Sequence, residues 1–210
     1  MRSLSLVGNP LEELPERIGE LGALEHLYVA ETPLEALPAG IGRLTRLRTL
    51  DVAHNRLTAV PGLPERLEVL YLGDNPLGHL PGAVRGLRHL TYLGAHEAGI
   101  AELPPWIGEL EALLELRVQH NRLRTLPDDV GRLSRLRELH LRGNALGELP
   151  AAVAELPRLR HLDLRANGLT TIPDGPYPAL EKLDLRWNGL ELDPPPAAAR
   201  LAERGCHVLL

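Results

Sequence analysis

The chain predicts an α/β repeat solenoid: a right-handed coil, open like a horseshoe, with a parallel sheet on its concave side. Short helical, 3-10 or extended segments are expected on the convex side. Three regularities lead there. A Leu-x-x-Leu-x-Leu block recurs in nine copies, starting at Met1, Leu24, Leu47, Leu67, Leu90, Leu113, Leu136, Leu159 and Leu180. The usual step is 23 residues, shortened to 20 after Leu47 and 21 after Leu159. Proline fills the fifteenth place of every copy, and asparagine fills the ninth in seven: Asn9, Asn55, Asn75, Asn121, Asn144, Asn167 and Asn188.

The copy Leu136–Leu156 shows how one unit works. Leu139 and Leu141 stand two apart, on one face of an extended strand, so Glu138, His140 and Arg142 take the other. Asn144 offers a short amide that can bond to main chain where the chain reverses. Leu146 and Leu149 continue the apolar set, Pro150 discourages further strand, and Val153 and Leu156 return at helix-like spacing. A lone unit cannot bury these leucines, whereas stacked units can. Strands are therefore expected around residues 3–6, 26–29, 49–52, 69–72, 92–95, 115–118, 138–141, 161–164 and 182–185. The two short copies differ: Val60–Pro64 and Ile172–Pro178 hold too few residues and too many prolines for a helical turn. Extended segments are expected there, with Leu63 and Tyr177 plugging the core edge.

Residues 1–193 read as one unbroken solenoid and 194–210 as a C-terminal cap. The pattern slips at Leu192-Asp193. Pro194-Pro195-Pro196 then leads into the short helix AAARLAERG, which Gly205 can end in a left-handed turn, and CHVLL reads as an edge strand. At the other end Leu4 and Leu6 face an open edge, which a partner or a second copy of the chain could cover.

The units LEELPERIGEL, LEALPAGIGRL and LRTLPDDVGRL resemble the leucine-rich repeat family in its LPxxIGxL variety. That variety is seen in intracellular Ras-binding scaffolds, related plant proteins and many bacterial proteins. The copy LRTLDVAHNRLTAVPGLPER is similar to the shorter repeat of bacterial effector proteins. The resemblance implies a curved solenoid whose concave strands bind another protein.

Composition narrows the partners. A formal charge of −5 and a pI near 6.0 argue against nucleic acid. A single cysteine, Cys206, forbids an intramolecular disulfide and fits a reducing cytoplasm. MRSLSLVGNP lacks the apolar run of a signal peptide, and no stretch is apolar for long enough to span a bilayer.

With the core places fixed, the third, fifth, seventh and eighth places are left for a concave binding surface. Three of four tyrosines, one of two tryptophans and six of nine histidines fall on them. Tyr and Trp join a large contact area to a polar handle, as at interface hot spots. One candidate zone holds Tyr28, Asp51, Tyr71, Tyr92 and His96, with Asp74 at its rim. Gly73 and Gly94 should leave a hollow there. A second zone holds a column of Arg142, Arg165 and Arg186 beside His140, Asp163 and Asp184, with Arg117 and Trp187 nearby. The arginines would either neutralise themselves against the aspartates or await an acidic partner. The fifth copy is irregular, because Ala98 replaces the turn asparagine and Gly94 weakens the strand. Trp106 belongs to the convex side.

Catalytic motifs are wanting. His96-Glu97-Ala98-Gly99-Ile100 lacks the second histidine of a zinc-protease helix, no GxSxG elbow occurs among Ser3, Ser5 and Ser134, and no phosphate-cradling loop is present. Glu138 and His140 beside His161 and Asp163 could hold Zn²⁺ or another divalent ion, but a solvated polar patch is the commoner arrangement. The sequence therefore predicts non-catalytic binding of a protein or peptide, with no cofactor, metal or catalytic residue. Second comes a structural or targeting module of a larger protein, and third a metal-dependent enzyme.

Overall fold

A computed structural model describes residues 1–190 and 194–210. The break expected at Leu192-Asp193 lies outside the described residues. Ten three-residue strands form one parallel sheet in strict chain order. They are β1 (Ser3–Ser5), β2 (His26–Tyr28), β3 (Thr49–Asp51), β4 (Val69–Tyr71), β5 (Tyr92–Gly94), β6 (Glu115–Arg117), β7 (Glu138–His140), β8 (His161–Asp163), β9 (Lys182–Asp184) and β10 (His207–Leu209). The molecule is an open horseshoe-like solenoid, as the repeat pattern predicts.

Register explains the packing. Each fourth-place leucine lies on the next, Leu27 on Leu50, Leu50 on Leu70 and so on, and all from Leu27 to Leu183 are fully buried. The sixth-place residues, such as Val29, Leu72 and Leu141, are fully buried beneath the same sheet. Only the first copy departs, because Leu4 and Leu6 at the β1 edge are half-buried.

On the convex side, 3-10 turns start directly after the fifteenth-place prolines at Glu16–Glu20, Ala39–Arg43, Gly82–Val84, Pro105–Glu109, Asp128–Arg132 and Ala151–Val153. Residues 59–64 and 171–178 contain no helix. Leu63 packs against the core and Tyr177 is buried, its hydroxyl donating to the Pro173 carbonyl at 3.2 Å. Trp106 likewise packs half-buried against the core from outside. Neighbouring turns touch, which accounts for the glycine at the nineteenth place. A Cβ on Gly108 would run into the Asp129 carbonyl and lie 3.2 Å from the Arg132 Cβ. Gly108→Ala is expected to cost about 1–3 kcal/mol by overpacking, read as a lower urea midpoint; an unchanged midpoint would show that the turns simply move apart.

The asparagines behave as a second ladder beneath the turns. Asn121 Nδ2 donates to the Ala95 and Val118 carbonyls at 2.8 and 3.0 Å, while its Oδ1 accepts from the Ala98 and Ile100 N–H groups at 3.1 and 2.9 Å. Asn55, Asn75, Asn144, Asn167 and Asn188 repeat the scheme. Each bridges two sixth-place carbonyls and takes the eleventh-place N–H of the preceding copy. Where the amide is missing, at Thr32 and Ala98, the eleventh-place N–H of the copy before turns back to its own ninth-place carbonyl. Leu11 donates to Asn9 and Leu77 to Asn75, both at 2.8 Å. A turn amide bonded to main chain is expected to be buried; at Asn144 that expectation needs correction, since Asn144 is half-buried and the buried amides are those of Asn55, Asn75 and Asn121.

After β9 the chain forms α1 (Pro196–Glu203), which buries Ala197, Ala198 and Leu201. Gly205 has φ +90° and lets the chain turn into β10, which pairs in parallel with β9.

Candidate partner-binding face

The third, fifth and seventh places point to the concave side, and the eighth turns the chain away from it. All nine eighth-place residues are left-handed: Gly8, Glu31, His54, Asp74, Glu97, His120, Gly143, Ala166 and Trp187, with φ from 51° to 70°. The cause is visible in the hydrogen bonds. From Gly8 to Ala166 each eighth-place N–H extends the ladder to the seventh-place carbonyl of the next copy, as from His120 to Arg142 at 2.7 Å. The chain reverses in the same step. Only glycine takes this conformation freely, so the side chains at the other seven places are held there against a cost of about 1–2 kcal/mol each.

In the first zone the Tyr71 and Tyr92 rings pack at 4.7 Å between centroids, tilted by 43°. Burial pushes the Tyr92 hydroxyl up to about 12, and the Arg117 guanidinium stands 6.0 Å from its ring. Burial also raises the Asp51 carboxyl, although the Ala53 N–H bonds to it at 3.1 Å and works the other way. Tyr28 is in register with Asp51, and Asp51 with Tyr71, on successive strands. The expected hollow is not there. The His96 imidazole occupies the space above Gly73, and the Tyr92 ring lies 3.1 Å from where a Gly94 Cβ would stand. Glycine permits those rings to lie down and leaves no cavity beside them. Asp74 turns away from the tyrosines and meets His54 Nδ1 at 2.6 Å.

The second zone divides. Arg165 is bidentate to Asp163 at 2.8 and 2.6 Å and also lies 3.5 Å from Asp184. Arg186 is bidentate to Asp184 at 2.9 and 2.7 Å. These two arginines are neutralised, as an Asp-Leu-Arg strand allows. Arg142 is not, because its strand reads His140-Leu141-Arg142 and offers no aspartate. It pairs with no carboxylate among the described residues. Its guanidinium stands 5.4 Å from the Trp187 ring, while Arg186 stands 5.5 Å from the same ring. Trp187 is 56% exposed.

Burial alone would raise the Asp163 carboxyl, yet the side chain and N–H of Arg165 hold it below the ordinary 3.8. A depressed folded pKa contributes stability that is complete above the unfolded value and fades as pH falls through the folded one. Asp163→Asn is therefore expected to lower stability at neutral pH and to flatten its loss below about pH 4. Parallel acid limbs for variant and wild type would contradict this.

Sequence reasoning passed over a row of inward polar atoms at three successive seventh places. His96 Nδ1, Gln119 Oε1 and Arg142 Nε are buried with no hydrogen-bond partner. Gln119 and Arg142 line a concave cavity of about 410 Å³ together with Arg117, His120, His140 and Asp163. Only the column could have revealed this, since no single residue carries a motif. Glu138, His140 and His161 converge nearby, with a ligand atom of each within 4.8 Å of the others. Asp163, their expected companion, is held by Arg165 instead. His140 Nε2 meets Glu138 at 2.9 Å, and burial lowers the pKa of both His96 and His161, favouring neutral imidazoles. No helix among the described residues is long and apolar enough to cross a membrane.

Residues 65–165 match the family model described as a leucine-rich repeat region. No curated protein matches the sequence. Among solved structures, a leucine-rich repeat protein of Leptospira interrogans is 27% identical with a TM-score of 0.81. The match covers all of this chain, which spans 60% of the Leptospira protein. The plant peptide hormone receptor RGFR1, solved in complex with RGF2, is 26% identical over 89% of this chain and 36% of its own, with a TM-score of 0.60. TLR13, solved with ssRNA13, is 27% identical over 83% of this chain and 26% of its own, with a TM-score of 0.72. A family match over residues 65–165, solved structures built alike and a ladder of buried leucines agree: the chain carries a leucine-rich repeat region on a leucine-rich repeat fold.

Proposed function

We propose that the chain is a non-catalytic recognition module that binds another protein or peptide through its concave face. Leucine-rich repeat folds serve mostly as interaction modules, and a peptide hormone receptor is among the solved structures this chain resembles. The observation that carries the reading is Trp187, a residue left 56% exposed with two guanidinium groups 5.4 and 5.5 Å from its ring. A half-exposed tryptophan beside an unpaired arginine suits a partner segment with a carboxylate and an apolar side chain. The Tyr71–Tyr92 pair supplies a second aromatic anchor, with Tyr28, Asp51 and His96 around it. RNA, the ligand in the TLR13 structure, is the second reading. The chain's net charge of −5 weighs against it.

In this reading residues 1–193 form the solenoid, residues 194–210 cap it, and the single buried Cys206 suits a reducing cytoplasm. Association of two copies through the β1 edge is a further mode. It would show as concentration-dependent sedimentation that Leu4→Lys abolishes. The main test is capture of a partner by wild type and by variants. Trp187→Ala and Tyr71→Ala/Tyr92→Ala should lose the partner, whereas the convex changes Glu12→Ala and Arg132→Ala should keep it. Retention by the concave variants, or loss by the convex ones, would overturn the reading.

A further inference from the structure

We propose that Glu138, His140 and His161 form a binding site for one divalent transition-metal ion of the Zn²⁺ class on the concave face. The sequence alone favoured a solvated polar patch, and the arrangement of the strands changes that balance. Glu138 and His161 are register partners on β7 and β8, and His140 stands two residues along β7 on the same face. Their side chains thus leave two adjacent strands toward one point. His140 Nε2 lies 2.9 Å from Glu138 Oε2, and the two imidazole centroids are 5.0 Å apart at 76°. One ligand atom from each residue falls within 4.8 Å of the others. Ligands about 2.0–2.2 Å from a tetrahedral zinc stand about 3.3–3.6 Å from each other. Small side-chain rotations therefore close the set without moving the backbone.

The backbone is well placed to stay still, since Leu139 and Leu162 beneath the cluster are fully buried. Two imidazoles and one carboxylate are borderline donors that suit Zn²⁺ better than Ca²⁺ or Mg²⁺, which prefer all-oxygen sets. Surrounding charge is mixed. Glu115 Oε1 lies 3.8 Å from His140 Nε2 and favours a cation, while Lys182, in register with His161 on its far side, opposes one. Three protein ligands leave a fourth position toward the concave solvent, for water or for a donor from a bound partner. The site needs no partner to form, so its test is separate from that of the recognition module.

Zn²⁺ titration of the whole chain by calorimetry in a non-chelating buffer tests the site, with Co²⁺ absorbance reporting the coordination geometry. One Zn²⁺ per chain is expected. Glu138→Gln, His140→Ala and His161→Ala should each weaken it by at least about tenfold, while His79→Ala and His89→Ala, exposed elsewhere, should not. Metal-free melting curves establish that the variants fold. Should His140→Ala not fold, the near-isosteric Glu138→Gln and the half-buried His161→Ala decide the matter. Absence of saturable binding, unchanged affinity in His161→Ala, or equal loss in His79→Ala would overturn the proposal.

Discussion

Asn121→Ala is expected to lower the unfolding free energy by on the order of 3 kcal/mol, and Asn144→Ala by about 1 kcal/mol. Both amides bridge the sixth-place carbonyls of adjacent copies, but Asn121 accepts from two N–H groups and Asn144 from one, so the difference rests on that extra bond and on water. Removing Asn121 leaves three buried groups without it, the Ala98 and Ile100 N–H groups and the Ala95 carbonyl, while the Val118 carbonyl keeps its bond from Asn144 at 3.0 Å. Solvent cannot replace them without entering the core. Asn144 is half-buried, so water can reach the Leu123 N–H and the carbonyls it leaves. Asn9 is exposed and bonds only to its own copy, so Asn9→Ala should be nearly silent. Urea unfolding of the three variants supplies the check. Equal midpoints for Asn9→Ala and Asn121→Ala would mean that the ladder contributes nothing beyond local turn preference. The fifth copy already shows how evolution manages without the amide: beneath Ala98, Leu77 donates to the Asn75 carbonyl instead. A designed variant lacks the surrounding changes that make this detour comfortable.

What could be read in advance was whatever repeats. The strand places, the buried fourth- and sixth-place residues and the asparagine ladder each recur in nearly every copy, so chance agreement at one position hardly matters. Individual side-chain choices were legible only in part. The contrast between Asp163-Leu164-Arg165 and His140-Leu141-Arg142 is written in the chain, and it foretells which arginine is left without a carboxylate. The filled space over Gly73 is not foretold, because whether His96 lies down over a glycine or stands away from it depends on rotamers and neighbours. The left-handed eighth place was hidden for another reason. Glutamate and alanine carry no preference for φ > 0, so at Glu31, Glu97 and Ala166 the ladder imposes that conformation against local propensity.

Trp187→Ala is expected to weaken partner binding by about 2 kcal/mol or more, roughly thirtyfold, while changing stability by no more than about 0.5 kcal/mol. The two expectations separate because of where the indole sits. Its ring is more than half exposed, so folding gains little from it. At φ +64° alanine meets the same backbone cost that tryptophan meets. A partner that covers the ring would bury apolar area that the free protein leaves wet. The mounting is already fixed: Asp184, only 2% exposed, holds Arg186 through two hydrogen bonds, and Arg186 backs the ring. Little ordering is then needed on binding, which favours affinity. Tyr71 and Tyr92 make a less clean test, since their rings already pack on each other and truncation should cost about 0.5–1.5 kcal/mol of stability as well. Arg142→Ala should remove the unpaired cation and cost affinity most for a partner whose contact residue is acidic, with Arg142→Lys restoring only part of it. The reading fails if a partner complex leaves Trp187 as exposed as before, or if Trp187→Ala binds with wild-type affinity while remaining folded.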